Sequence, residues 1–242
     1  MNSHIVARQV AVLAIVGLFG APRLLAQNSN SELKGKLLVA GVDTLAVTVE
    51  QQGRSFPVAT AVQSLRRVKR GPTDAWEQTY RWYGQNGDST ADTLWYDASN
   101  LKPIENHRHN SLHDAVTVFG PSSARTDLTP RGGASEASDT TIRGPLYASG
   151  EIESIIRASP LRANYKAQYD LYYGGPLGVR TGSFEVVRSD RTTTRNGESV
   201  ECWVVDAKLN GVLNTFWIDK KNRKLVKLVN HEDPAAEFVF RR

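Results

Sequence analysis

The stretch "TLWYDASNLKPIENHRH", Thr93–His109, returns later as "TFWIDKKNRKLVKLVNH", Thr215–His231, with Thr, Trp, Asp, Asn, Lys and the closing His at matching offsets. In each copy a run rich in β-branched and aromatic residues ends on Asp, a polar turn follows, and a second such run returns, which is the pattern of a β-hairpin. Asp97 and Asp219 can accept hydrogen bonds from backbone amides two residues on, and Asn100 and Asn222 suit the left-handed position of the reversal. Trp95 and Trp217 then pack on one face of equivalent hairpins. The copies share no nucleophile, base or metal set beyond one His each, so the echo reads as repeated scaffold and not as a repeated site.

The same pattern extends outward. "KGKLLVAG", "TLAVTVEQQ", "WEQTYRWYGQ", "HDAVTVFG", "NYKAQYDLYYGG", "GSFEVVRSD" and "ESVECWVVDAKL" are further short segments of this kind, and all are expected as strands. Asn and Gly at "QNGD" (Gln85–Asp88), "RNG" (Arg195–Gly197) and Asn210–Gly211 suit tight hairpin turns, so successive strands should be antiparallel neighbours. One helix is expected, "SGEIESIIRASPL", with Ser149 as cap, Glu151 and Glu153 in the first turn, an apolar stripe of Ile152, Ile155 and Ile156, and Pro160 as stop. The polar stretch Gly120–Pro145 is read as a ragged hairpin turning around Arg131–Ala134, since a structureless loop of that length inside a compact domain is uncommon. These elements predict a mainly β (α+β) fold: a strongly curved antiparallel sheet forming an unclosed barrel, with one short amphipathic helix packed on it, in a single domain over 33–242.

The first residues are expected to be an address. Arg8, the uncharged apolar run Val10–Phe19 and the small residue Ala26 form a secretory signal, residues 1–26, followed by a flexible start to the mature chain, 27–32. The run is shorter than the roughly 20 apolar residues of a spanning helix. Cys202 is the sole cysteine, which excludes both a lipid anchor at the cleavage point and an internal disulfide. The expected locale is therefore the periplasm or the exterior. The formal charge is +5, and its basic residues are dispersed, which argues against nucleic-acid binding.

From "EIESIIRASPL" through the Tyr-rich strand, "GSFEVVRSD" and "NGESVECWVVDAKL" to "TFWIDKKNRKLVKLV", the chain resembles an exported bacterial family of unknown function with the lipoprotein-carrier type of fold, that of the LolA and LolB carriers. The resemblance implies an unclosed barrel with helix on the concave side, and supplies no catalytic residue.

Candidate sites follow from the strand faces. Tyr165, Tyr169 and Tyr173 share one parity, as do Trp76, Tyr80 and Trp82, so broad rings from two strands could form a common surface for a lipid or other apolar molecule. The alternative is ordinary core under the helix, where aromatic stripes more often end. His107 and His109 share one side of a strand, with His113 and Asp114 beyond a turn, which is the material of a zinc enzyme. The bland reading is a polar hairpin end. Cys202, mid-strand in "VECWVV", should be inert, and the glycines of "YGGPLGV" are a turn and not a phosphate loop. The tip "DKKNRK", Asp219–Lys224, is a solvated turn or a peripheral contact for anionic lipid. A non-enzymatic role is expected, as a monomer without cofactor, binding a lipid-like molecule or an envelope protein; the other readings are a metal-dependent enzyme and a cavity-less module offering a bare strand edge.

Overall fold

A computed structural model describes residues 33–174 and 177–242. The expected signal and the segment after it lie outside the described residues. The first half contributes β1 (Gly41–Gln51), β2 (Arg54–Arg70), β3 (Thr73–Gly84), β4 (Ser89–Asp97), β5 (Pro103–His109), β6 (His113–Phe119), β7 (Ser123–Pro130) and β8 (Glu136–Thr141). After β9 (Leu146–Ala148) come a short 3-10 turn at Ser149–Glu151 and the helix α1 (Ile152–Ala158). The chain ends with β10 (Lys166–Tyr172), β11 (Val179–Thr193), β12 (Ser199–Leu209), β13 (Val212–Asp219), β14 (Leu225–Asp233) and β15 (Ala236–Arg241).

All of them join one 15-stranded sheet in the order β8-β7-β6-β5-β4-β3-β2-β1-β15-β14-β13-β12-β11-β10-β9. The sheet is curved and does not close into a barrel. Every pairing is antiparallel except β9 with β10. Where β7 comes round to β10 no backbone ladder forms, and the seam is held by side chains: the Thr126 and Tyr172 hydroxyls lie 2.9 Å apart, and Phe119 meets the Tyr172 ring edge-on at 5.7 Å.

The two copies of the opening motif are the β4–β5 and β13–β14 hairpins, and the bonds from backbone amides to the Asp and Asn side chains of their turns match. Asp97 Oδ1 accepts from the amides of Ser99 and Asn100, as Asp219 Oδ1 does from Lys221 and Asn222. Asn100 Oδ1 accepts from the Lys102 amide and Asn222 Oδ1 from that of Lys224. The left-handed residue is not Asn in either copy: it is Leu101 at φ 62° and Arg223 at φ 60°. The Asn side chain holds the turn one residue earlier, which frees the next backbone to reverse. Each ladder is also offset at one place, beside Trp95 and beside Trp217. The strand starts keep a similar offset beyond these hairpins: β1 starts at Gly41 and β10 at Lys166, β2 at Arg54 and β11 at Val179, β5 at Pro103 and β14 at Leu225.

Three segments depart from the sequence expectation. "KGKLLVAG" forms a 3-10 turn at Gly35–Leu37 in place of a strand. β2 was not among the expected strands; its Pro57 lies beside the place where the β1–β2 register shifts between Val47 and Thr48, an irregularity at which a strand tolerates proline. The helix begins without a Ser149 cap, and the Glu151 carboxylate accepts from the Ala148 amide in its place. The polar stretch forms the expected hairpin, β7–β8, turning at residues 131–135.

The helix packs on the concave face, and every one of its seven residues is buried, the polar ones included. Ile155 and Ile156 are fully buried in the main cluster with Leu45, Tyr96, Phe184, Phe216 and Ile218. A helix apolar only on one stripe can be buried all round if its polar side finds partners. Glu153 accepts from Arg157 (3.0 Å) and Gln63 (2.8 Å), and the Ser154 hydroxyl donates to Gln78 Oε1 while accepting from Tyr96. Arg223, the left-handed turn residue, donates to the carbonyls of Arg157 and Ser159 and so closes the helix C-terminus.

Candidate functional site

Because β-strand side chains alternate, the residues of β3–β6 divide into a concave and a convex set. The concave set, beyond the end of the sheet filled by α1, leaves two adjoining cavities that share Ser149 and Gly150. The larger, about 250 Å³, is walled by Leu45, Tyr80, Leu94, Ile152, Phe216, Leu228 and Phe240, with Gln63, Gln78, Asp92, Glu153 and Asn214 among them. The smaller, about 220 Å³, is lined by Ala115, Phe119, Leu128, Ala148 and Tyr172 together with Asn106, Arg108, His113 and Tyr173. Such a surface, mostly apolar with a few placed polar groups, is what small-molecule sites look like.

The polar groups are tied to one another. Arg108 Nε and Nη2 donate to Asp92 Oδ2 at 3.2 and 3.1 Å, and Asn106 donates to Asp92 Oδ1. Gln78 Nε2 donates to the Gly150 carbonyl at 3.2 Å, fixing the turn that separates the cavities. Burial pushes the Tyr80 phenol well above its ordinary range, with the Glu153 charge adding to the effect, so it stays neutral. Burial also raises the Tyr173 phenol, whose oxygen is buried and has no hydrogen-bond partner among the described residues.

The sequence-selected rings divide. Tyr80 and Tyr173 line the cavities. Trp82 backs the larger one, its ring 6.0 Å from that of Phe240. Trp76 stands under the N-terminal segment, its indole N–H donating to the Gly35 carbonyl and its face covered by Arg67. Tyr165 and Tyr169 are core: both are buried against Phe184, and Tyr169 meets Tyr147 edge-on. For these three the common-surface expectation is corrected, because the N-terminal segment covers Trp76 and because Phe184 and Tyr147 pack against Tyr165 and Tyr169. Asp92, Asn106, Arg108 and the β13–β15 wall were missed, since single polar residues in alternating strands carry no spacing signal.

The histidine cluster does not form. His107 and His109 fall on the convex face, where His107 pairs with Glu105 and packs edge-on against Trp95, and His109 pairs with Asp114. His113 falls on the opposite face and lines the smaller cavity. Among the described residues no group of three or more His, Cys, Asp or Glu side chains could hold a metal ion. The zinc-enzyme reading is thereby corrected: the turn Asn110–Leu112 reverses the chain and changes the face.

The basic tip Asp219–Lys224 is also engaged. Lys220 reaches Glu201 and covers the Trp203 ring, Lys224 pairs with Asp43, and Arg223 caps the helix. Cys202 is fully buried, and desolvation pushes its thiol up to about 12.

A family model described as a protein of unknown function, DUF3108, matches residues 45–239, and the chain belongs to that family. No curated protein matches. A crystal structure described as a beta-barrel-like protein of domain of unknown function DUF1849 from Brucella abortus has a TM-score of 0.53 to this chain at 10% identity, covering 86% of this chain and 96% of that one. At that identity the likeness concerns the fold alone.

Proposed function

We propose that this member of the DUF3108 family is an exported, non-enzymatic protein of the bacterial envelope that binds a lipid-like or other apolar molecule on the concave face of its sheet. The observation that carries the reading is the larger cavity: α1 fills one end of the concave face and leaves beyond it an apolar wall of Leu45, Tyr80, Leu94, Phe216, Leu228 and Phe240. A space walled by the buried Leu45, Leu94 and Phe216 and by the half-buried Tyr80, Leu228 and Phe240 favours a ligand in that place. The resemblance to the lipoprotein carriers agrees, since they too place helix on the concave side of an unclosed barrel. Export rests on Arg8, the run Val10–Phe19 and Ala26.

The test is native mass spectrometry of residues 27–242, exported by a bacterial host and purified without detergent, beside a Gly150→Leu variant. A Cβ at Gly150 meets only Asp92 Oδ2, at 3.8 Å, so a larger side chain there fits the backbone and fills the junction of the cavities. The expected result is an extra mass of a small organic molecule, removed by organic extraction and lost in the variant. A bare mass that stays bare after incubation with fatty acids and phospholipids overturns the reading.

A further inference from the structure

The inference that follows rests on the apolar-ligand reading and concerns the head of that ligand. The polar groups at the cavities are unevenly satisfied. The acceptors are used: Asp92 takes bonds from Asn106 and Arg108, and Glu153 takes them from Arg157 and Gln63. Glu151, the remaining carboxyl of the turn, lines neither cavity, and burial raises it well above the ordinary carboxyl value. The donors are not used up. Arg108 spends Nε and Nη2 on one oxygen of Asp92, and its Nη1 has no acceptor among the described residues. The Tyr173 hydroxyl, buried on the same cavity, has none either.

A guanidinium and a phenol facing one small cavity, both with hydrogens to give, fit an oxyanion, because charge-assisted bonds from Arg are strong and directional. We propose that the smaller cavity receives the carboxylate or phosphate head of a single-chain amphiphile against Arg108 and Tyr173, with the chain running past Gly150 into the larger cavity. Asp92 is then a positioning residue that holds the guanidinium on the concave wall. A neutral head leaves the guanidinium's spare donors without a charged acceptor, and a cationic head is repelled.

Titration calorimetry on delipidated protein distinguishes this from the parent reading, using dodecanoate, dodecyl phosphate and dodecanol below their micelle concentrations, with inorganic phosphate alone as a fourth ligand. Both anionic amphiphiles should bind at least about tenfold more tightly than dodecanol. Arg108→Gln should abolish that preference, bringing the anions down to the level of dodecanol, and Tyr173→Phe should weaken the anions several-fold. The tighter of the two anions names the head. If dodecanol binds as well as the anions, or the preference survives both substitutions, the oxyanion inference fails and the apolar reading stands. If inorganic phosphate binds as tightly as dodecyl phosphate, the amphiphile is wrong. If none binds, both readings fall. Should Arg108→Gln not fold, Tyr173→Phe carries the same comparison.

Discussion

Truncating the isoleucines of α1 tests where the helix lies and where the concave face is empty. Ile155 is 0% exposed and Ile152 8% exposed, and both sit in the main hydrophobic cluster. They differ in what lies beyond their methyl groups. Ile155 is enclosed by packed side chains, so Ile155→Ala loses the transfer energy of the removed carbons and leaves a new void, at a cost of about 3–4 kcal/mol. Ile152 borders the larger cavity. Its truncation enlarges a space that already exists, so only the transfer part is lost, about 1.5–2 kcal/mol. Helix propensity changes equally in both and cancels. For a chain of this size the two variants should lower the melting temperature by about 10 °C and about 5 °C. Val118→Ala, at a convex position 51% exposed, should stay within about 0.5 kcal/mol of the parent. Chemical denaturation with fluorescence and far-UV dichroism supplies both midpoint and slope. Equal costs at Ile152 and Ile155 would show that the cavity wall is in fact packed, and a cost below about 1 kcal/mol at Ile155 would refute a helix enclosed by the sheet.

Other outcomes follow from single positions. Gly35→Ala should destabilise by about 1–3 kcal/mol, because its Cβ would stand 2.0 Å from the Ala98 carbonyl oxygen, part of the β4–β5 turn to which Gly35 donates through Ser99; an unchanged unfolding midpoint would refute that packing. Glu151 has its carboxyl raised well above the ordinary value by burial, opposed by the Ala148 amide. Its contribution is therefore intact below the unfolded-state value and lost as pH rises toward the folded one, by up to about 1.4 kcal/mol per unit. Glu151→Gln should gain on the parent in urea unfolding at pH 8 relative to pH 4.5, and a gain that shrinks with pH would contradict the buried acid. Cys202 should resist thiol reagents at pH 8 in the native state and react on unfolding; rapid native labelling would contradict its burial.

The hairpins were the most legible part of the fold because turn chemistry is local. Gly87, Gly197 and the Asn210–Gly211 pair all have positive φ, as the Asn-Gly signals require. β2 went unread although its Pro57 is compatible with a strand, because the register shift beside it forms only when β1 and β2 pair. "KGKLLVAG" reads as a short apolar run bounded by glycines, yet it packs as a 3-10 turn over the β4–β5 turn. The candidate site was half legible. Parity identified the inward faces of β3 and β10 but could not say how far along them α1 lies, which separates Tyr80 and Tyr173 at the cavities from Trp76, Tyr165 and Tyr169 in the core. Asp92, Arg108 and Asn106 gain meaning only when the two neighbouring strands β4 and β5 align them.

The central claim is that the concave face beyond α1 is open and takes an apolar chain. The direct measurement is thiol labelling at Leu228→Cys, on the wall of the larger cavity, in a Cys202→Ser background. The account predicts labelling of the native protein at a rate well above that of global unfolding, slowed by saturating dodecanoate and unaffected by the same concentration of a short-chain acid. Labelling that occurs only on unfolding, or that dodecanoate does not slow, would contradict it.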